Sequence, residues 1–327
     1  MGTAAASKRP ARRVRKSITN YELRITSLKH LFQCSVFLCA LFVFAGNLLG
    51  QDFNVTQAQI DWIAEKDFLE RTIKTGSAEQ KRDALFRIRN LENIQASRIA
   101  VPALTDKSEI VRATAAFSVI FLPPDEALTA LLPLLKDKKE LVRREAAYAL
   151  GKTGNPNAVN SLLQTFQKDK ILDVKNAAVV ALGEIGDASA IAEIVKILQR
   201  KPNTKEDFLR RSAARSIGQI AQIIQTGNRV VQTPQDFLPE KYGLLPRRKY
   251  PNLIEIFPVF QTANDALINT LRNQAETDDV KRETAFALGA IGAPSAIPVL
   301  QSNLDAEDYY LAKISAEALR KISVFSN

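Results

Sequence analysis

The sequence predicts an all-α solenoid of about seven helix-turn-helix repeats, preceded by an N-terminal membrane or signal segment. Three observations predict it. One pattern recurs from Gln80, Val111, Val142, Val174, Leu209, Val280 and Leu311, about 31 residues apart except for one double-length gap before Val280. Counting from the first residue of each copy, apolar or small side chains fall at 0, +4, +5 and +8, as in Val142, Ala146, Ala147 and Leu150, which is one face of a helix with 3.6 residues per turn. Ahead of the repeats, residues 31–49 (LFQCSVFLCALFVFAGNLL) run without a charge behind a basic leader.

Each repeat begins with a helix that small residues at +4 and +5 let a neighbour approach. A glycine at +9 or +12 is expected to end it: Gly151 and Gly154, Gly183 and Gly186, Gly289 and Gly292. After a short polar turn, with Pro156 and Pro294 at first-turn positions, a second amphipathic helix follows, as in AVNSLLQTF, AIAEIVKIL and AIPVLQSNL. A lone pair of this kind cannot bury its apolar face, so neighbours must stack to supply the core. The sequence divides accordingly into a leader (1–30), a signal peptide or single anchor (31–50), an N-terminal helical cap (51–79), repeats (80–322) with an insertion at about 225–262, and a tail (323–327). Trp62 is expected to plug the core of the cap.

The clearest copies, VRREAAYALGKTGNPNAV, VKNAAVVALGEIGDASAI and VKRETAFALGAIGAPSAI, share the signature V-R-x-x-A-A-x-A-L-G-x-[IT]-G-[ND]-[PA]-x-A-[IV]. This resembles the short bacterial HEAT-like repeats associated with phycobilisome lyase subunits. The resemblance covers about residues 78–322 and implies an armadillo-type superhelix. It implies an interaction scaffold more than any one activity, because such repeats serve unrelated partners. The Val111 copy departs from the pattern, with Pro123 and Pro124 in place of both glycines, and the Leu209 copy has Ala221 where the second glycine belongs.

The net charge of +10 is concentrated at the front. Residues 1–30 hold eight basic side chains against one acid, which leaves +3 for the rest of the chain. A nearly neutral body does not call for a phosphate-rich partner, so nucleic acid is not expected. As a helix, residues 31–49 would reach about 28 Å, one hydrocarbon core. The positive-inside rule then keeps the leader in the cytoplasm and sends the repeats across the membrane, to a periplasmic location. Cleavage after the small residues Ala45, Gly46 or Gly50 would release the protein, and retention of residues 31–50 would anchor it. A start at Leu28 would make this stretch a signal peptide of ordinary length. Cys34 and Cys39 read as apolar filler within it.

The only histidine is His30, and no cysteine follows Cys39. That removes Ser/His/Asp and Cys/His catalysis and Cys/His zinc sites from the repeats. No phosphate-cradling loop, nucleophile elbow or EF-hand spacing is present. Asp305, Glu307 and Asp308 read as solvated surface, as does Glu317, which has nothing basic nearby in the pattern. The expectation is therefore no catalytic residue, no metal ligand, no cofactor and no small-molecule substrate.

Two features are left to carry function. The basic residue after the first apolar position, Arg112, Arg143, Lys175, Arg210 and Lys281, recurs with upstream acids Asp106, Asp137, Asp169 and Asp278. In a stack these form a ladder whose structural reading is ion pairing within and between repeats. The insertion carries five prolines, the basic cluster Arg247, Arg248 and Lys249, and the aromatics Tyr242, Tyr250 and Phe257 among others. It is too apolar for a solvated loop and is the candidate partner-binding element. The sequence thus reads as a non-enzymatic, exported or membrane-tethered scaffold that binds another protein through its concave face, with second-helix residues such as Gln164, Lys196 and Gln301, and through the insertion. The alternatives are a structural component of a cell-envelope assembly or a lyase-like enzyme subunit, the latter resting on the resemblance alone.

Overall fold

In the computed structural model, residues 56–227 and 253–325 are described, the last three as backbone only. These residues are helical, with no strand among them. The first helix is α1 (Gln57–Thr75). The first helices of the repeats are α2 (Ala78–Asn90), α4 (Glu109–Ser118), α6 (Glu140–Thr153), α8 (Leu172–Ile185), α10 (Asp207–Thr226), α13 (Asp278–Ile291) and α15 (Tyr309–Phe325). Their partners are α3 (Ile94–Ala100), α5 (Pro124–Leu131), α7 (Val159–Lys168), α9 (Ile191–Leu198), α12 (Val259–Arg272) and α14 (Ile297–Gln301). One further turn, α11 (Leu253–Ile256), precedes α12.

Local chemistry sets the ends of these helices. Ser77 and Gln80 cap α2 reciprocally, satisfying two of the orphan amides of its first turn. The polar residue after the terminal glycine starts the second helix: Asn155 and Asp187 accept hydrogen bonds from the amides of Asn157 and Ser189 at 3.0 and 2.8 Å. Each thereby opens a single tight turn, Pro156–Ala158 or Ala188–Ala190, that feeds α7 or α9.

The glycines divide their work, which corrects the sequence reading. Gly154, Gly186 and Gly292, all at +12, end their helices in the left-handed conformation, with φ of 61°, 81° and 78°. Those at +9 lie inside the helix and permit close approach instead. A Cβ on Gly151 would sit 2.7 Å from the Ala181 Cα, and one on Gly183 would sit 2.6 Å from the Ser216 hydroxyl. With alanines such as Ala146, Ala147, Ala177 and Ala178 fully buried, the first helices therefore form a close-packed row: α6 on α8, α8 on α10, α10 on α13, α13 on α15.

The fifth repeat explains the double-length gap. Helix α10 packs on α13 as if nothing intervened, and α12 packs on α9, taking the second-helix place. That helix begins at Val259, a few residues before the expected Ala263, because Phe260 is a fully buried core residue. In α1 the buried residues are Leu69 and Ile73, while Trp62 is only half-buried, so Trp62 is not the plug the sequence suggested. No described helix is long and apolar enough to cross a membrane. The leader, the uncharged segment 31–50 and the tail residues 326–327 lie outside the described residues.

Candidate interaction surfaces

The ladder residues are joined by geometry that the spacing alone does not give. Arg112 hydrogen-bonds both carboxylate oxygens of Asp137, at 2.8 and 2.9 Å, and its third nitrogen donates to the carbonyls of Asp106 and Lys107. Arg143 repeats this with Asp169, at 2.6 and 3.1 Å, and with the Asp137 carbonyl. Each basic residue therefore reaches forward to the next repeat's acid while holding the loop before its own helix. Lys81 does the same to Asp106 at 2.7 Å. Burial works against ionisation of Asp137 and Asp169, but the arginine bonds and the amides of Lys139 and Ile171 outweigh it. Both carboxylates are held below their usual range.

Three rungs differ from expectation. Arg210, fully buried, pairs with Glu276 rather than Asp278, and also donates to the carbonyls of Ile197, Leu198 and Arg200. Lys175 makes no ion pair among the described residues, because the positions 25 and 26 ahead are Arg200 and Lys201 instead of an acid. Lys281 makes none either. Its neighbour Arg282 carries that rung, bonding Asp308 at 2.7 and 2.9 Å. Asp308 is therefore not free surface, and neither is Glu317, which is buried and paired with Arg320 at 2.6 Å.

A groove of about 720 Å³ opens where the insertion leaves and returns. Ile185 and Ile224 line one part of it, and Ile256, Phe257, Pro258 and Val259 another. Ile256 is 52% exposed. Phe257 is half-buried and packs edge-to-face on Phe260 with ring centres 6.4 Å apart, which anchors this end of the insertion. Of the partner-binding residues read from the insertion, Phe257 alone lies among the described residues. Tyr242, Arg247, Arg248, Lys249 and Tyr250 lie outside them. Gln164, Lys196 and Gln301 are exposed on α7, α9 and α14, with Lys196 paired to Glu193.

Sequence reasoning passed over the solvent side of the first helices. There, position +6 is held by Phe86, Phe117, Tyr148, Val180 and Arg215 in successive repeats, so an aromatic stretch passes into a charged one. Phe86 is exposed and the other four are half-buried. Around Arg215 lie Arg211, Gln219 and Glu283. Burial pushes the Glu283 carboxyl up to about 7 in spite of the nearby guanidinium groups of Arg215 and Arg211. No group of three or more His, Cys, Asp or Glu placed to hold a metal occurs among the described residues.

Comparison with known proteins agrees with the repeat geometry. The sequence pattern of HEAT repeats matches residues 98–183, and that of the PBS lyase HEAT-like repeat matches 174–200 and 280–306. The chain is a HEAT-like repeat protein. Those matches fall on the fourth and sixth units and on the run of units before them. No curated protein matches this HEAT-like repeat protein. Human deoxyhypusine hydroxylase in complex with glycerol is similar in fold at 19% identity, over 80% of this chain and 96% of that one, with a TM-score of 0.33. The complex of CpcE and CpcF of phycocyanin lyase from Nostoc is similar at 18% identity, over 80% and 93%, with a TM-score of 0.44. A designed armadillo repeat protein in complex with the peptide (KR)4 is similar at 16% identity, over 78% and 98%, with a TM-score of 0.40. At these scores the likenesses say nothing of what this chain binds.

Proposed function

We propose that this HEAT-like repeat protein is a non-enzymatic scaffold, exported or tethered through residues 31–50, that captures another protein at the base of its insertion. The groove between the Ile185–Ala192 turn and Ile256–Val259 carries this reading. It is apolar at its centre, it is open, and it lies where the one departure from a regular stack meets the repeats. An exposed isoleucine beside a half-buried aromatic anchor is the pattern of an interface centre, where a few well-packed side chains carry most of the affinity. The exported or tethered part of the proposal rests on the nineteen uncharged residues behind the basic leader.

The test is a photo-crosslinking residue at Ile256 in the full-length chain, with Gln164 as a second site. Intact mass of the protein from membrane and soluble fractions is measured alongside. Crosslinks to one protein from Ile256, lost on Phe257→Asp while the helical spectrum is kept, support the reading. Crosslinks from Gln164 with none from Ile256 would move the partner to the second-helix row. A chain recovered only from the cytosol with residues 31–50 intact would remove the exported part.

A further inference from the structure

We propose that Arg211 and Arg215 form a docking stripe on α10 for an extended acidic peptide segment. The inference rests on the proposed protein-binding role and names a second contact surface for it. The two arginines are spaced by four along a twenty-residue helix, so they share one face.

The two arginines differ from those of the ladder. Arg112, Arg143, Arg210 and Arg282 each hydrogen-bond both oxygens of a carboxylate. Arg211 and Arg215 make no hydrogen bond among the described residues. Their nearest acids, Asp279 and Glu283, stand 3.5 and 3.6 Å away, beyond the roughly 2.7–2.9 Å of a charge-assisted bond. Each guanidinium has five donors to offer and about a third of its side chain in solvent, 36% and 31%. Arg211 is held in place by stacking over the Phe208 ring at 4.9 Å.

A second observation points to a ligand independently. One carboxylate oxygen of Glu283, a residue only 6% exposed, has no hydrogen-bond partner among the described residues. Buried acceptors of this kind are costly unless something donates to them. Because burial pushes the Glu283 carboxyl up to about 7, part of the population near neutral pH leaves the Arg215 charge uncompensated.

The spacing selects the kind of segment. Arginines one helical turn apart are about 6 Å apart along the axis, and alternate residues of an extended chain are about 6.6 Å apart. Two acids at alternate positions of a strand-like peptide therefore meet both forks at once. A nucleic acid or other dense polyanion is a poorer fit to a body whose charge beyond residue 30 is only +3.

The test uses the full-length chain in mild detergent and fluorescence anisotropy with a labelled dodecapeptide alternating glutamate and alanine. Controls are the same peptide with lysine for glutamate, and inorganic phosphate as competitor. The alternating acidic peptide should bind, and Arg211→Gln/Arg215→Gln should weaken it tenfold or more with an unchanged helical spectrum. Arg98→Ala should leave binding as it was. Should the Gln pair be misfolded, Arg211→Lys/Arg215→Lys, which keeps charge but loses the fork, should still weaken binding several-fold. Equal binding of the lysine peptide, full competition by millimolar phosphate, or unchanged binding in both variants would overturn the stripe. Loss of Ile256 crosslinks with intact peptide binding would sink the groove and leave the stripe standing; the reverse would do the opposite.

Discussion

Arg210 and Glu276 stand 66 residues apart in sequence and are buried against each other, the longest rung of a ladder whose other rungs join residues 25 or 26 apart. The difference, about forty residues, is the insertion. The stack therefore closes behind it, and the pair that closes it is the most buried ion pair among the described residues.

Breaking that pair should be expensive. Arg210→Met leaves Glu276 buried without its cation and three carbonyls without a donor, and the expected loss is about 3–5 kcal/mol in urea unfolding. Adding Glu276→Leu should restore part of it, the remainder measuring the carbonyls of Ile197, Leu198 and Arg200. Arg98→Ala, which breaks an exposed pair with Glu126, should leave the midpoint nearly unchanged. Equal effects of Arg210→Met and Arg98→Ala would contradict the structure.

Removal of residues 228–252, replaced by a short Gly/Ser linker, should leave helix content and melting temperature close to the parent. Packing of α10 on α13 and the Arg210–Glu276 rung bypass that stretch. Extending the deletion to 258 should cost stability, since it removes the buried Leu253 and the Phe257 ring that packs on Phe260. Circular dichroism during heating reads both. Similar melting of the two deletions would mean that α11 is not part of the core.

Glu283 should make stability fall as pH rises. Its carboxyl is pushed up to about 7 by burial, opposed by Arg215, Arg211 and Arg282 and aided by Asp279. Between the ordinary glutamate range and 7 the folded chain holds a proton that the unfolded chain has lost. The Glu283 contribution is therefore intact below about pH 4.5 and declines through 7, by about 3 kcal/mol at most. Glu283→Gln should flatten that slope and melt higher than the parent at pH 8. A parent and variant with parallel pH profiles would refute it.

Two glycines separate conformation from crowding. Gly186 and Gly227 both adopt positive φ, 81° and 67°, but a Cβ on Gly186 would also lie 2.5 Å from Ile223, whereas one on Gly227 would meet nothing within 4 Å among the described residues. Gly227→Ala should cost about 1 kcal/mol, the left-handed penalty alone, and Gly186→Ala clearly more. Thermal melts of the two variants provide the comparison.

Much of this was legible in the sequence, for reasons that are local. The +12 glycines, the Asn155 and Asp187 turns and the alternation of helices follow from positions within one repeat, where capping and periodicity act over a few residues. The rungs were half legible. Basic residues at +1 announce a ladder, but which acid each one meets depends on loop lengths, so Glu276 replaced Asp278, Arg282 replaced Lys281, and Lys175 met no acid. The +9 glycines were misread because close helix approach is set by the neighbouring repeat and not by their own. Arg211 and Arg215 were invisible for a similar reason. Their character lies in the bonds they fail to make, and those depend on Asp279 and Glu283 some seventy residues away.

The missing rung at Lys175 has a mechanical consequence. In a stack where each unit touches only its neighbours, global cohesion is a chain of joints. The joint between the fourth and fifth units lacks the fastener present at Arg112, Arg143 and Arg210, and it adjoins the groove beside the insertion. An unfolding front entering from either end should pause there, so that amide exchange divides α2–α9 from α10–α15 into two blocks that open separately. A load applied by a captured partner would fall at that seam on the close α8–α10 packing and the Ser216–Val179 hydrogen bond instead of on an ion pair.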